Sequence, residues 1–123
     1  MDSKQLVRGL GVGRVAFGIA FLVAPGVTGR LWIGDGATKP GARTLTRAVG
    51  ARDLVMGAGI LAASEGGRPV RDLLQQAGAV DVLDFTATLL AGGRLPTTSR
   101  RLTLAVAASA AAQCFYAATA VDD

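Results

Sequence analysis

Residues 45–64 read LTRAVGARDLVMGAGILAAS, a proline-free apolar run of about 20 residues with Arg52 and Asp53 near its middle. As an α-helix it is about 30 Å long, enough to cross the hydrocarbon of a bilayer. Ionised groups among apolar residues are costly unless they are paired. The stretch therefore fits one of two folds: a membrane bundle with a polar interior, or a soluble helical bundle built on interrupted apolar runs.

The same arrangement recurs on either side. Gly50 stands three residues before Asp53, Gly11 before Arg14, and Gly78 before Asp81. Positions three before and four after a residue share its helix face, so Arg14 is flanked by Gly11 and Gly18, and Asp53 by Gly50 and Gly57. Strips without side-chain bulk let a second helix approach closely, which a buried ion pair needs if it is to lose water without leaving a void. The third segment continues its polar strip from Asp81 to Asp84 and Thr88. A leucine follows each glycine by eleven positions, at Leu22, Leu61 and Leu89. A degenerate repeat and shared packing demands explain this pattern equally well.

Four apolar segments emerge, at 5–24, 45–64, 71–92 and 102–121. Pro25 and Gly26 close the first, Glu65, Gly66, Gly67 and Pro69 the second, and Gly92, Gly93 and Pro96 the third. The fourth carries no charge over 20 residues, a length that separates spanning helices from ordinary buried ones. Its small residues Ala105, Ala108, Ser109 and Ala112 suit close helix packing. Strand alternation is absent. The expectation is an all-α, four-helix transmembrane bundle forming one domain over residues 1–123, with a short interfacial segment in the first loop. There Trp32, between Arg30-Leu31 and Ile33, is expected to be an interfacial anchor on a short helix lying along the membrane surface, with a ligand-stacking role as the alternative. Lys4 and Arg8 before the apolar residues 15–23 also resemble a signal peptide, and an uncleaved first helix is the expected alternative.

Half of the residues are hydrophobic, but 17 glycines and 13 basic residues hold the mean hydropathy to +0.42. With no histidine and a single cysteine, Cys114, an intrachain disulfide, CxxC redox chemistry, Cys/His zinc sites and histidine-ligated haem are excluded. No cofactor or metal is expected, and Cys114 reads as a small buried hydrophobe. Gly11, Gly13 and Ala16 match the spacing of a dinucleotide fingerprint, but no strand precedes them and no βαβ unit surrounds them. With so few aromatic residues for base stacking, nucleic acid is not an expected partner.

The presumed interior holds Arg14 and Arg52 against Asp53, Asp81 and Asp84, so two cations face three carboxylates. Either one aspartate keeps a proton, with Asp81 and Asp84 the pair placed to share it, or Arg47 reaches in from the membrane edge. Paired carboxylates also serve as general acid and base, but no histidine, metal set or activated nucleophile accompanies them, so a non-enzymatic role is expected. At the segment ends, Arg30, Lys39, Arg43, Arg47, Arg94, Arg100 and Arg101 lie on one side and Lys4, Arg8, Arg68 and Arg71 on the other. That bias places the first side in the cytoplasm and both termini outside. The more basic face also suits acidic protein or lipid headgroups.

The stretches 14–25 (RVAFGIAFLVAP), 47–57 (RAVGARDLVMG) and 80–84 (VDVLD) resemble an uncharacterised family of short four-span bacterial membrane proteins, defined as a domain of unknown function. Gly50-Ala51-Arg52-Asp53 is the most specific piece, and the first helix is loosely similar to DoxX-like proteins. The resemblance implies a helical bundle in the bacterial cytoplasmic membrane and assigns no catalytic residue. Three functional expectations follow. The leading one is an accessory subunit or self-associating module with lipid, membrane-protein or homo-oligomer partners. The others are a proton-linked transporter or binder of a small solute or lipid, and a soluble helical bundle.

Overall fold

The fold is that of a computed structural model, which describes residues 1–122. Among them are five α-helices and no strand: α1 Ser3–Val23, α2 Pro25–Ile33, α3 Pro40–Glu65, α4 Arg71–Ala91 and α5 Thr97–Ala120. Short 3-10 turns follow α2 and α4.

Local chemistry sets the ends. Asp2 caps α1 reciprocally: Gln5 N donates to Asp2 Oδ1 at 2.8 Å, and Asp2 N donates to Gln5 Oε1 at 3.2 Å. Pro25 and Pro40 occupy first-turn positions of α2 and α3, where the missing N–H has no intrahelical role. Pro25, expected to end the first segment, therefore also opens the next helix. For the same reason α3 begins five residues ahead of the apolar run. Gly34, with φ of 77°, terminates α2 in a conformation open to glycine, and a Cβ there would lie 2.6 Å from Pro96 Cγ.

α1 packs along α3, and α4 along α5, while contact between α1 and α5 and between α3 and α4 is sparse. The molecule is thus two helix pairs laid side by side. α2 bridges them at one end, touching α1, α3 and α5. The first loop accordingly holds a packed helix.

The α1–α3 seam is antiparallel and formed by glycine. A Cβ at Gly18 would lie 2.5 Å from Gly50 O, and one at Gly57 would lie 2.7 Å from Gly11 O. Gly78 differs, because its open side faces the Phe115 ring on α5 and not another backbone. Leu61 covers Gly11, whereas Leu89 is exposed. The third member of the glycine–charge series is therefore not geometrically equivalent to the first two.

α5 buries Ala107, Ala111, Cys114, Ala117 and Ala118. Ala105, Ala108, Ser109 and Ala112 lie on its outer face, exposed, so the small residues singled out for packing are not those that pack within the chain. A small core of Val7, Ile60, Ala63, Val70 and Leu74 closes the end where α1 begins and α5 finishes. There Arg71 donates to Ala118 O at 3.0 Å and Val121 O at 2.7 Å, satisfying carbonyls at the end of α5.

Among the described residues two helices, α1 and α5, are long and apolar enough to cross a membrane. α3 and α4 are long enough, but Arg47, Arg52 and Asp53 in one, and Gln75, Gln76, Asp81 and Asp84 in the other, lower their apolar character.

Candidate functional site

Five charged side chains meet between the helix pairs. Arg14 comes from α1, Arg52 and Asp53 from α3, and Asp81 and Asp84 from α4. Arg14 Nη1 donates to Asp53 Oδ1 at 3.1 Å, and Arg14 Nη2 donates to Asp81 Oδ2. Arg52 grips Asp84 with two parallel bonds, Nη1 to Oδ1 at 3.1 Å and Nη2 to Oδ2 at 2.7 Å. It also lies 3.7 Å from Asp53 Oδ1. The charges alternate in a chain: Asp81, Arg14, Asp53, Arg52, Asp84.

Burial grades along that chain. Arg14, Asp53 and Asp81 are buried, whereas Arg52 and Asp84 are half-buried. The close backbone approach of Gly11 to Gly57 and of Gly18 to Gly50 makes the inner pairing possible, because Arg14 and Asp53 sit between those two contacts. Charged pairs this deep need their remaining hydrogen bonds met. Arg14 meets them with Ala77 O at 3.2 Å and Cys114 Sγ at 3.5 Å. The expectation of Cys114 as a buried hydrophobe thus omits its sulfur contact with the guanidinium.

Asp81 and Asp84 do not pair with each other. A different arginine holds each, because the one-turn offset on α4 aims them at α1 and α3 respectively. Arg47 does not reach in either: its Nε donates to Leu22 O at 3.2 Å and the residue is exposed. Two guanidiniums therefore serve three carboxylates, and among the described residues no third cation joins them.

A cavity of about 540 Å³ opens between α1 and α5 above this chain, within the roughly 300–1,000 Å³ range of small-molecule sites. Arg14, Asp53, Asp81, Asp84 and Cys114 form its polar floor. Leu10, Leu31, Leu102 and Val106 contribute apolar wall. At the α2 end Phe17 and Phe21 stack with centroids 4.1 Å apart, and Trp32 meets Phe21 edge-on at 6.4 Å.

Trp32 does not project outward as an interfacial anchor. Its indole turns into the bundle, where Nε1 donates to Thr88 Oγ1 at 2.9 Å and Thr88 donates to Asp84 O at 2.8 Å. A hydrogen-bond acceptor and an aromatic neighbour inside the bundle draw both the polar and apolar parts of the ring inward.

The cavity itself has no sequence signature. It arises because α1 and α5 stand apart, and its wall combines positions from the first, second and fifth helices. Phe17 and Phe21, four residues apart on α1, are the one local signal that points to it. Among the described residues no group of three or more histidine, cysteine, aspartate or glutamate side chains is placed to hold a metal ion.

No protein-family model matches the chain, and no match is found among curated proteins or solved structures. The resemblance to short four-span membrane proteins therefore rests on the three sequence stretches alone.

Proposed function

We propose that this chain is a four-span protein of the bacterial cytoplasmic membrane that binds a small amphipathic molecule in the cleft between α1 and α5. The membrane reading rests on an inverted distribution of polarity. On α3, Asp53 is 4% exposed while Val55 is 71% exposed, and on α4, Asp81 is 7% exposed while Leu90 is 79% exposed. A water-soluble bundle would turn its charges outward and its large aliphatic side chains inward. Lipid favours the reverse, because large aliphatic side chains then meet hydrocarbon while the charges pair inside the bundle. α3 and α4 cross beside α1 and α5, with Arg52, Asp53, Asp81 and Asp84 facing the bundle interior. The bias of basic residues toward the side bearing Arg30, Arg43 and Arg101 puts that side in the cytoplasm.

The binding reading is carried by the 540 Å³ cavity, whose apolar wall ends on charged groups. Such a cleft accommodates a molecule with an apolar body and a polar end. Native mass spectrometry of the chain released from mild detergent tests this. An adduct of one small molecule per chain is expected, and it should disappear when Ala110→Phe fills the cleft. An unliganded chain, with Ala110→Phe melting no differently from the parent, would refute the reading.

A second reading, an accessory or self-associating module, is favoured by the outer face of α5. Ala105, Ala108, Ser109 and Ala112 are all exposed there, and small residues let helix backbones approach closely in lipid. Disulfide crosslinking between copies carrying Ala108→Cys, in a Cys114→Ala background, distinguishes self-association from a solitary chain.

A further inference from the structure

Charge balance and wall chemistry together define the ligand of the cleft more narrowly, on the premise that the cleft binds a small molecule. We infer that the ligand is a lipophilic monocation, an amine or onium group carried on an apolar or aromatic body.

The floor of the cleft is unbalanced. Asp53, Asp81 and Asp84 all border it, but of Arg14 and Arg52 only Arg14 does. The N–H groups of Arg14 are directed to Asp53, Asp81, Ala77 O and Cys114 Sγ. Arg52 faces Asp84 and Asp53 from behind the floor. An arriving ligand therefore meets carboxylate oxygens with acceptor capacity, and because two arginines face three aspartates, the third carboxyl either carries a proton or pairs with an arriving cation. An anion would be repelled, and a neutral molecule would leave the proton in place, whereas a cation exchanges for that proton and pairs with the freed carboxylate. A single positive charge completes the alternation of the chain.

The wall points the same way. The aromatic group formed by Phe17, Phe21 and Trp32 borders the cleft, and aromatic faces attract cations, tryptophan most strongly. Trp32 is tied through Thr88 to the backbone of Asp84, so the aromatic group and the outermost carboxylate are held beside one another. The aliphatic remainder, Leu10, Leu102 and Val106, suits an apolar body and disfavours a small hydrated ion such as sodium. The cleft lies between α1 and α5, the two helices long and apolar enough to cross a membrane among the described residues, which suits entry from the bilayer by a molecule already dissolved in it.

Three tetraphenyl probes of near-identical shape separate charge from size. Tetraphenylphosphonium, neutral tetraphenylsilane and tetraphenylborate are titrated against the full chain in nanodiscs of zwitterionic lipid, with Ala110→Phe nanodiscs as the blank. Saturable binding of the phosphonium at one per chain is expected, about tenfold or more tighter than either other probe. Asp84→Asn, which leaves two cations against two carboxylates, should weaken the phosphonium by a similar factor and narrow its advantage over the silane. Equal or tighter saturable binding of the silane or borate overturns the cationic ligand while leaving a binding cleft in place. Absence of saturable binding by all three probes overturns both. The comparison among probes is made on the unaltered chain, so it stands even if Asp84→Asn does not fold.

Discussion

Arg14 Nη1 lies 3.1 Å from Asp53 Oδ1 at the level where α1 and α3 approach through Gly11 and Gly57 on one side and Gly18 and Gly50 on the other. Neither feature works without the other. The glycines bring the backbones close enough for the pair to form away from solvent, and the pair gives the close approach a reason beyond dispersion. Few large side chains are fully buried in the chain, with Ile60 and Leu74 the largest, so this seam and the charged chain contribute much of what holds the helices in register.

Gly18→Ala is expected to destabilise the bundle by about 1–3 kcal/mol, as overpacking does, because its Cβ would lie 2.5 Å from Gly50 O. Gly59→Ala, on the partner helix α3 but with nothing within 4 Å, should instead be neutral or stabilising by up to about 1 kcal/mol through helix propensity. Thermal melting of the two variants in the same detergent makes the comparison.

Arg14→Gln would strand Asp53 and Asp81 in the interior without their shared cation, and a loss of about 3–5 kcal/mol is expected. Arg14→Lys should fall between, because an ammonium on a flexible stem cannot span both carboxylates in a planar fork. If Arg14→Gln melted like the parent, the inner pairs would have no part in holding the fold.

Asp84→Asn should cost less, about 1–3 kcal/mol. The Arg52 and Asp84 side chains are 32% and 21% exposed, and Arg52 keeps its second carboxylate, Asp53, at 3.7 Å. The ranking of Arg14→Gln above Asp84→Asn in chemical or thermal unfolding is the observable.

Thr88→Val removes the acceptor of the indole N–H, a bond of 2.9 Å, at an expected cost of about 0.5–1.5 kcal/mol. Trp32 is the only tryptophan, so its emission reports the site directly. A shift to shorter wavelength is expected if the ring stays packed against Phe21. A shift to longer wavelength would mean that the ring had swung into water.

The glycine flanks of Arg14 and Asp53 are legible in the sequence because helical periodicity alone puts residues three before and four after on one face. Which carboxylate each arginine takes is not legible. Asp81 and Asp84 stand three residues apart, and only the packing of the α4–α5 pair against the α1–α3 pair sends one to Arg14 and the other to Arg52. A short element around Trp32 is legible, but its start directly at Pro25 is hidden by the double meaning of that residue, which reads as a breaker of what precedes it and is also a favoured first helical residue. The inward turn of Trp32 escapes the sequence for a similar reason. An aromatic residue beside an arginine in a loop reads as a headgroup anchor, and its partner Thr88 lies 56 positions away. The cavity depends on the gap between α1 and α5, a tertiary property with no local trace.

Sidedness of the ends of α3 is the most direct measurement of whether this charged helix crosses a membrane. Asp35 and Glu65, both exposed, flank it, and each is replaced by cysteine in a Cys114→Ala background. In intact cells a membrane-impermeant maleimide is expected to label Glu65→Cys at once and Asp35→Cys only after lysis. Labelling of both positions from the same side, or recovery of the chain in the soluble fraction, would mean that α3 does not span, and the inverted bundle would have to be abandoned.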